Sequence, residues 1–329
     1  MKRRTLCSLA GATLLALAGT LGAGGAAAQT KLKWAHVYET SESFHKQAVW
    51  AADEIKKKTN GRYVVEVFPA SSLGKETEIN QGLTLGTVDI IYTGAAFAGR
   101  AYPPLSIAAA PFVFRDYNHF QAFRNGPIFQ ELAQGYASKT GGQHIAGYTY
   151  YGLRHMTSNK VIFKPEDMKG LKLRVPDAPL FVMFPKAVGA NPTPIAFAEV
   201  YLALQNGTVD AQENPLPTIE AKKFYEVQKY ITLTGHITES LVTAVSGSVW
   251  SKLSDADKKI FDQVLWEASS RASQDIVDAE NRLVAEFEKK GKTVNKVDRA
   301  PFAAAVLPSL TAADAPWPKS LYERIQAIK

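Results

Sequence analysis

The sequence predicts an α/β protein of two similar lobes braced by one long helix. Three observations lead there. Strand-like and helix-like segments alternate through most of the chain. One unit occurs twice, as QGLTLGTVDIIYTG at Gln81–Gly94 and as LALQNGTVDAQENP at Leu202–Pro215. Asp255–Lys290 contains neither Gly nor Pro, so a continuous helix can brace more than one lobe. In each copy of the repeated unit an apolar helix ends at a glycine, Gly86 or Gly207, and Thr-Val-Asp leads into a strand. Glycine suits the left-handed C-cap, and valine continues a buried strand. The shared helix–glycine–strand context makes the match a structural echo rather than a chance one. The carboxyl ends of the two strands, Tyr92-Thr93-Gly94 and Gln212-Glu213-Asn214, then face a cleft between the lobes, where ligand sites favour forming.

Taken in order, Leu32–His36 reads as a first strand. A helix follows, capped by Ser41 or Ser43, with Phe44, Ala48, Ala52 and Ile55 on one face and an end at Asn60-Gly61. Tyr63–Phe68 is a strand, Glu76–Leu85 a helix and Val88–Thr93 a strand. Asp116–Ala137 reads as helical with a break at Gly126-Pro127, and Gln143–Tyr151 as a strand. Leu171, Leu173 and Val175 alternate with Lys172 and Arg174, the period of a strand that Pro176 stops. Leu180–Val188 is a helix kinked at Pro185. Asn191–Ile195 comes next, then a helix at Phe197–Gln205, a strand at Thr208–Gln212 and the long helix from Asp255 after Ser254.

The 329 residues are 46% hydrophobic and 21% charged, an ordinary globular balance. Lys2, Arg3 and Arg4, the apolar run Leu9–Leu21 and Ala26-Ala27-Ala28 form a secretory leader over residues 1–28, leaving Gln29 first. The leader holds three cations and no acid, so its loss lowers the formal charge from +7 to +4. It also removes Cys7, the only cysteine, leaving no thiol nucleophile, disulfide or cysteine metal site. The basic excess forms no stripe with interleaved aromatics, which argues against nucleic acid. No serine-elbow, Walker, zinc-protease or EF-hand motif occurs, and the six histidines lack helix-face metal spacing.

Candidate site residues gather at predicted strand ends. Arg174 sits at the carboxyl end of its strand, and Arg154 follows the apolar run Ile145–Tyr151. Two converging guanidiniums repel unless an anion lies between them, and the planar fork of arginine matches a carboxylate. Taken singly, each could instead pair with an acid of its own, such as Asp177 or Glu166. His36 ends the first strand. Glu76 and Glu78 suit the positive end of their helix dipole or the cleft. Phe197 is either core or a platform for a sugar face.

The segments RHMTSN (Arg154–Asn159), DMKGLKLRVP (Asp167–Pro176), PTPIAFAEVYLALQNGTVDAQENP (Pro192–Pro215) and KFYEVQKY (Lys223–Tyr230) resemble the solute receptors of tripartite ATP-independent periplasmic (TRAP) transporters, the DctP family. The sialic-acid and sugar-acid receptors are closest in motif. The resemblance implies a two-lobed periplasmic-binding-protein fold, with mixed sheets flanked by helices and a long helix spanning both lobes. It implies residues 29–151 and 240–279 in one lobe, and 152–239 and 280–329 in the other. It also implies a periplasmic monomer that delivers an organic acid to a membrane permease, with no cofactor and no metal. Arg174 would bridge the ligand carboxylate bidentately, with Arg154 and Asn214 beside it and Phe197 packed on the ligand. Tyr38, Tyr151, Glu213, His36, Glu76 and Glu78 complete the expected pocket. Val37 and Gly94 stand where sialic-acid receptors carry an Asn and a Glu, which points to a smaller sugar acid such as glucuronate or galacturonate. The competing reading is an exported sugar-acid hydrolase using Glu76, Glu78 or Glu213 as its acid and base.

Overall fold

The computed structural model describes residues 29–329; the expected leader lies outside the described residues. Its nine strands are β1 (Thr30–Ala35), β2 (Tyr63–Phe68), β3 (Ile90–Gly94), β4 (His144–Ser158), β5 (Lys172–Val175), β6 (Asn191–Pro194), β7 (Ala211–Pro215), β8 (Tyr230–Val245) and β9 (Thr293–Lys296). They are hydrogen-bonded in the order β2-β1-β3-β8-β4-β7-β5-β6, with β9 along β8. Pairings of β1 with β2 and β3, and of β5 with β6 and β7, are parallel. Those of β8 with β3 and β4, and of β4 with β7, are antiparallel, so the sheet is mixed.

The fold is α/β and two-lobed, and both lobes share β4 and β8. One end of this antiparallel pair lies beside β3, through Leu241–Val245. The other end carries β7 on β4 and β9 on β8. Register shifts interrupt the pair at Ile145/Gly147, Tyr150/Gly152 and Arg154/Met156. Bulges bend a strand and raise its twist, which lets one ladder serve two differently oriented half-sheets. At the middle shift Gly152 has φ +114°, and a Cβ there would lie 2.9 Å from both Glu280 Oε1 and Pro215 Cβ. Only glycine combines that backbone with that space.

Neither long strand is legible at full length in the sequence. β4 was expected to stop at Tyr151 but runs on to Ser158, and Tyr230–Val245 gave no strand expectation. Arg154 and Glu239, which line a polar cavity, and His236, which bonds Glu213 behind it at 3.2 Å, interrupt the apolar pattern, as does His155, which accepts from Gly235 N–H at 3.0 Å. The helix α1 (Ser43–Lys58) has Glu42 as its N-cap residue, not Ser41 or Ser43, and Ser43 instead donates to Asp275 at 2.5 Å. The segment expected over Asp116–Ala137 is two helices, Tyr117–Arg124 and Pro127–Lys139, parted at Gly126 as the Gly-Pro pair suggests. Leu180–Val188 and Phe197–Gln205 each begin with 3-10 turns, Pro179–Val182 and Phe197–Glu199.

The echoed units are equivalent down to single hydrogen bonds. Gly86 and Gly207 adopt φ +76° and +74°. Asp89 accepts from the backbone N–H of Lys33 at 2.8 Å, and Asp210 from that of Lys172 at 2.9 Å. Each aspartate thereby extends the pairing of its strand with the parallel neighbour by one side-chain bond. The helix α2 (Glu76–Leu85) leads into the first unit, and the helix Asp255–Lys289 packs on α1 in one lobe and on Leu216–Ala221 in the other.

Candidate ligand-binding site

The cavity lies where β3, β5 and β7 end against the crossing pair. It has about 540 Å³ of empty space, mouth included. Its wall includes Tyr38, Glu76, Tyr151, Arg154, Arg174, Phe197 and Asn214 from the expected set, together with Val37 and Gly94. His36, Glu78 and Glu213 are not in the wall. His36 is buried below it, accepting from Tyr38 N–H at 3.2 Å and bonding His45 at 3.3 Å, and burial pushes its pKa down to about 3. Glu78 is exposed and accepts from Lys75 N–H at 2.9 Å, capping α2. Glu213 lies behind Arg154.

The two arginines have opposite surroundings. Arg154 is 2% exposed and tied down on every side. Its Nε donates to Glu213 Oε2, Nη2 donates to Glu213 Oε1 at 2.8 Å and to the Glu213 carbonyl at 2.6 Å, and Nη1 donates to Glu239 Oε2 at 3.2 Å. Burial alone would lower its pKa, but Glu213 and Glu239 outweigh that and raise it. Burial works against ionised Glu213 too, yet Arg154 and His236 hold its carboxyl below the usual range.

Arg174 is 1% exposed and has no acid partner among the described residues. Its Nε and Nη2 both donate to the carbonyl of Ile195, at 2.9 and 2.6 Å. Nη1 is buried without a hydrogen-bond partner. Burial, aided by the like charge of Arg154, pushes its pKa down to about 9. Asp177, one of the two acids weighed as its structural partner, pairs with Arg100 at 3.3 Å. The Nε–Nη2 edge of the fork is thus spoken for, while the Nη1–Nη2 end is open to a planar acceptor.

Facing this donor are carboxyls and aromatic rings. Glu76 Oε1 accepts from Gly94 N–H at 2.8 Å and from the Thr93 hydroxyl at 3.0 Å; burial pushes its pKa up to about 7. Glu239 lies 1% exposed, accepts from Ser240 N–H at 3.0 Å, and is also raised to about 7 by burial. Glu239 was not expected: in Ile237–Val242 (ITESLV) Thr238 and Ser240 flank it, and no apolar run sets it apart. The rings of Tyr38 and Phe197 lie 6.1 Å apart, and those of Tyr38 and Tyr151 5.3 Å apart. Phe97 and Phe181, which also went unnoticed, add apolar wall. Asn214 donates to Gln212 Oε1 at 2.6 Å. At the mouth, charges pair across the cleft: Lys75 with Glu199 at 2.7 Å, Arg100 with Asp177, and Lys222 with Glu39 at 2.7 Å. Among the described residues no group of His, Cys, Asp and Glu is placed to hold a metal.

A cleft between two half-sheets, lined by arginine, acids and rings, defines a two-lobed receptor for a small organic anion. The model of bacterial extracellular solute-binding proteins, family 7 (DctP), matches residues 34–314, and the chain belongs to that family. It is 36% identical over 281 residues to the sialic acid-binding periplasmic protein SiaP of Vibrio cholerae, covering 85% of this chain and 87% of the relative. A TRAP periplasmic solute-binding protein from Polaromonas sp. JS666, bound to D-erythronate, superposes with a TM-score of 0.87 at 36% identity, covering 92% of this chain and 99% of that one. One from Roseobacter denitrificans OCh 114 with bound L-galactonate gives 0.84 at 33%, covering 90% and 98%. As in that family, the protein binds a small organic acid and works with TRAP permease subunits; it is a receptor, not an enzyme. The family is periplasmic, and no described helix is long and apolar enough to cross a membrane.

Proposed function

We propose that the protein, exported by cleavage near Ala28, captures a sugar acid in the periplasm and hands it to a TRAP permease. A hexuronate such as glucuronate or galacturonate is the favoured ligand. The observation that carries this reading is the buried, unpartnered Nη1 of Arg174 in a polar cavity. A buried donor without a partner is costly, and a carboxylate across the Nη1–Nη2 end relieves that cost with charge-assisted bonds. Arg154 adds its field, and Asn214 a polar edge beside the carboxylate. Phe197 and Tyr38 offer the flat apolar contact a sugar face needs, and Glu76 and Glu239 offer acceptors for hydroxyls. Val37 and Gly94 bring no polar side chain to the wall, which favours a ligand smaller and less decorated than sialic acid. Relatives with bound D-erythronate and L-galactonate support the sugar-acid class.

The test is calorimetric titration with glucuronate and galacturonate beside an unliganded melting curve. Arg174→Ala should lose at least about a hundredfold in affinity. Arg174→Lys keeps the charge without the fork and should fall between. Both variants should stay folded, since Arg174 holds no ion pair. Retained affinity in Arg174→Ala, or tight succinate binding with no response to any sugar acid, would refute the reading.

A further inference from the structure

We infer that the site is built for acids carrying one carboxylate and rejects the corresponding diacids, with Glu239 and Glu76 as the residues that exclude a second carboxylate. This rests on the sugar-acid reading above and names the class within it.

The argument is an account of charge around the cavity. Three of its wall residues are cations: Lys75, Arg154 and Arg174. Lys75 is paired with Glu199, and Arg154 with Glu213 and Glu239. Among the described wall residues, Arg174 is therefore the one cation without an acid, and its open end accommodates one carboxylate. The opposite wall is acidic. A Cβ built on Gly94 would lie 3.7 Å from Glu76 Oε1 and 3.8 Å from Glu239 Oε1. Two carboxyl groups thus converge on the bare backbone of Gly94, at the end of β3, while Arg174 projects from β5 in the other half-sheet.

Each of these carboxyls has its own reason to stay. Glu76 holds Gly94 N–H and the Thr93 hydroxyl, and Glu239 holds Arg154 and Ser240 N–H. Their remaining lone pairs can accept from ligand hydroxyls. A second ligand carboxylate would bring no donor and would add a like charge in a poorly solvated space, where juxtaposed like charges discriminate strongly between partners.

The experiment uses two series, each of one carbon skeleton and one hydroxyl pattern. L-galactonate and galactarate are open chains that differ only at one terminus, alcohol against carboxylate; D-galacturonate carries an aldehyde there and in water closes through it into a ring. D-glucuronate, L-gulonate and D-glucarate form the second series. Calorimetric titration at pH 8 should find a monoacid bound at least roughly a hundredfold more tightly than the diacid of its series. The readout is that ratio. Glu239→Gln and Glu76→Gln should each shift it toward the diacid by about tenfold or more. Two variants are used because Glu239→Gln also turns an amide toward Arg154, and melting curves identify which is folded. Diacid binding within about threefold of the monoacid in the unaltered protein, or an unmoved ratio in a folded variant, overturns this inference and leaves the sugar-acid reading standing. Binding of no monoacid in either series overturns both.

Discussion

The two arginines have the same chemistry and opposite tasks, and substitution should separate them. Arg154 neutralises Glu213 and Glu239, both 1% exposed, so Arg154→Ala would strand two buried acids. Breaking such a pairing costs about 3–5 kcal/mol. The unliganded melting temperature should fall by several degrees in differential scanning calorimetry, whereas Arg174→Ala, which gives up two bonds to the Ile195 carbonyl but strands no acid, should lower it less; equal effects would contradict the assigned roles. Glu280 makes a second test at this scale. It accepts from Leu153 N–H at 2.7 Å and from the Tyr150 hydroxyl at 2.9 Å, and burial pushes its pKa up to about 7. The folded state keeps a proton that the unfolded chain releases near pH 4.5. This contribution is complete below that value and is lost as pH rises through 7. Buried His36 and His155, pushed down to about 3, act in the opposite direction, and Glu42, Glu76 and Glu239, raised to about 7, act in the same one, so the Glu280 contribution is read as the difference between variant and unaltered protein. Glu280→Gln should thus be near neutral at pH 5 and stabilising by about 2 kcal/mol at pH 8, the half-buried position being partly screened. Denaturant melts at the two pH values measure it, and an identical difference at both would count against the mechanism. Arg174 was legible in the sequence because strand alternation and Pro176 fixed its position. The division of labour between it and Arg154 was not, because it depends on Glu213 and Glu239, which are distant in the chain and adjacent only once β7 and β8 lie against β4.

At the scale of elements, the repeated unit was the clearest signal, and its glycines offer a graded experiment. Gly86 and Gly207 have positive φ with open space around them: a Cβ on Gly86 meets only Ser248 Oγ at 4.0 Å, and one on Gly207 meets nothing within 4 Å. Alanine at either should cost about 1 kcal/mol, the price of a left-handed backbone alone. Gly152→Ala adds close approach to Glu280 and Pro215 to a positive φ, so it should destabilise by clearly more, measured as the shift in denaturant midpoint. A ranking with Gly86→Ala as the worst of the three would be inconsistent with this geometry. Helices and parallel strands were readable because their periodicity and caps are local. The crossing strands were not, since their polar residues serve the cavity and their bulges break the period. Glu78 illustrates the same limit: two acids in one helical turn look alike in sequence, yet Glu76 turns to Gly94 and Glu78 caps α2.

For the whole molecule, ligand capture should be accompanied by closure. Three ion pairs span the mouth, and only Lys222–Glu39 is largely sheltered, with side-chain exposures of 16% and 32% against about half for the members of the other two. Exposed pairs are weak and screened by salt. Lys222→Met should therefore weaken ligand binding more than Glu199→Gln, and added salt should narrow the gap only partly; calorimetric titration at low and high ionic strength would read both. Small-angle scattering should show a smaller radius of gyration with saturating ligand, and an unchanged value would argue against hinged closure. The lobes are joined by two bulged strands side by side and a helix of 35 residues, not by flexible linkers. Such a joint acts as a leaf spring, not as a pin. The long helix packs along β4, so the ribbon flexes with one face held. The receptor should then open and shut along a single arc, presenting the permease with two outlines and no continuum of orientations between the lobes.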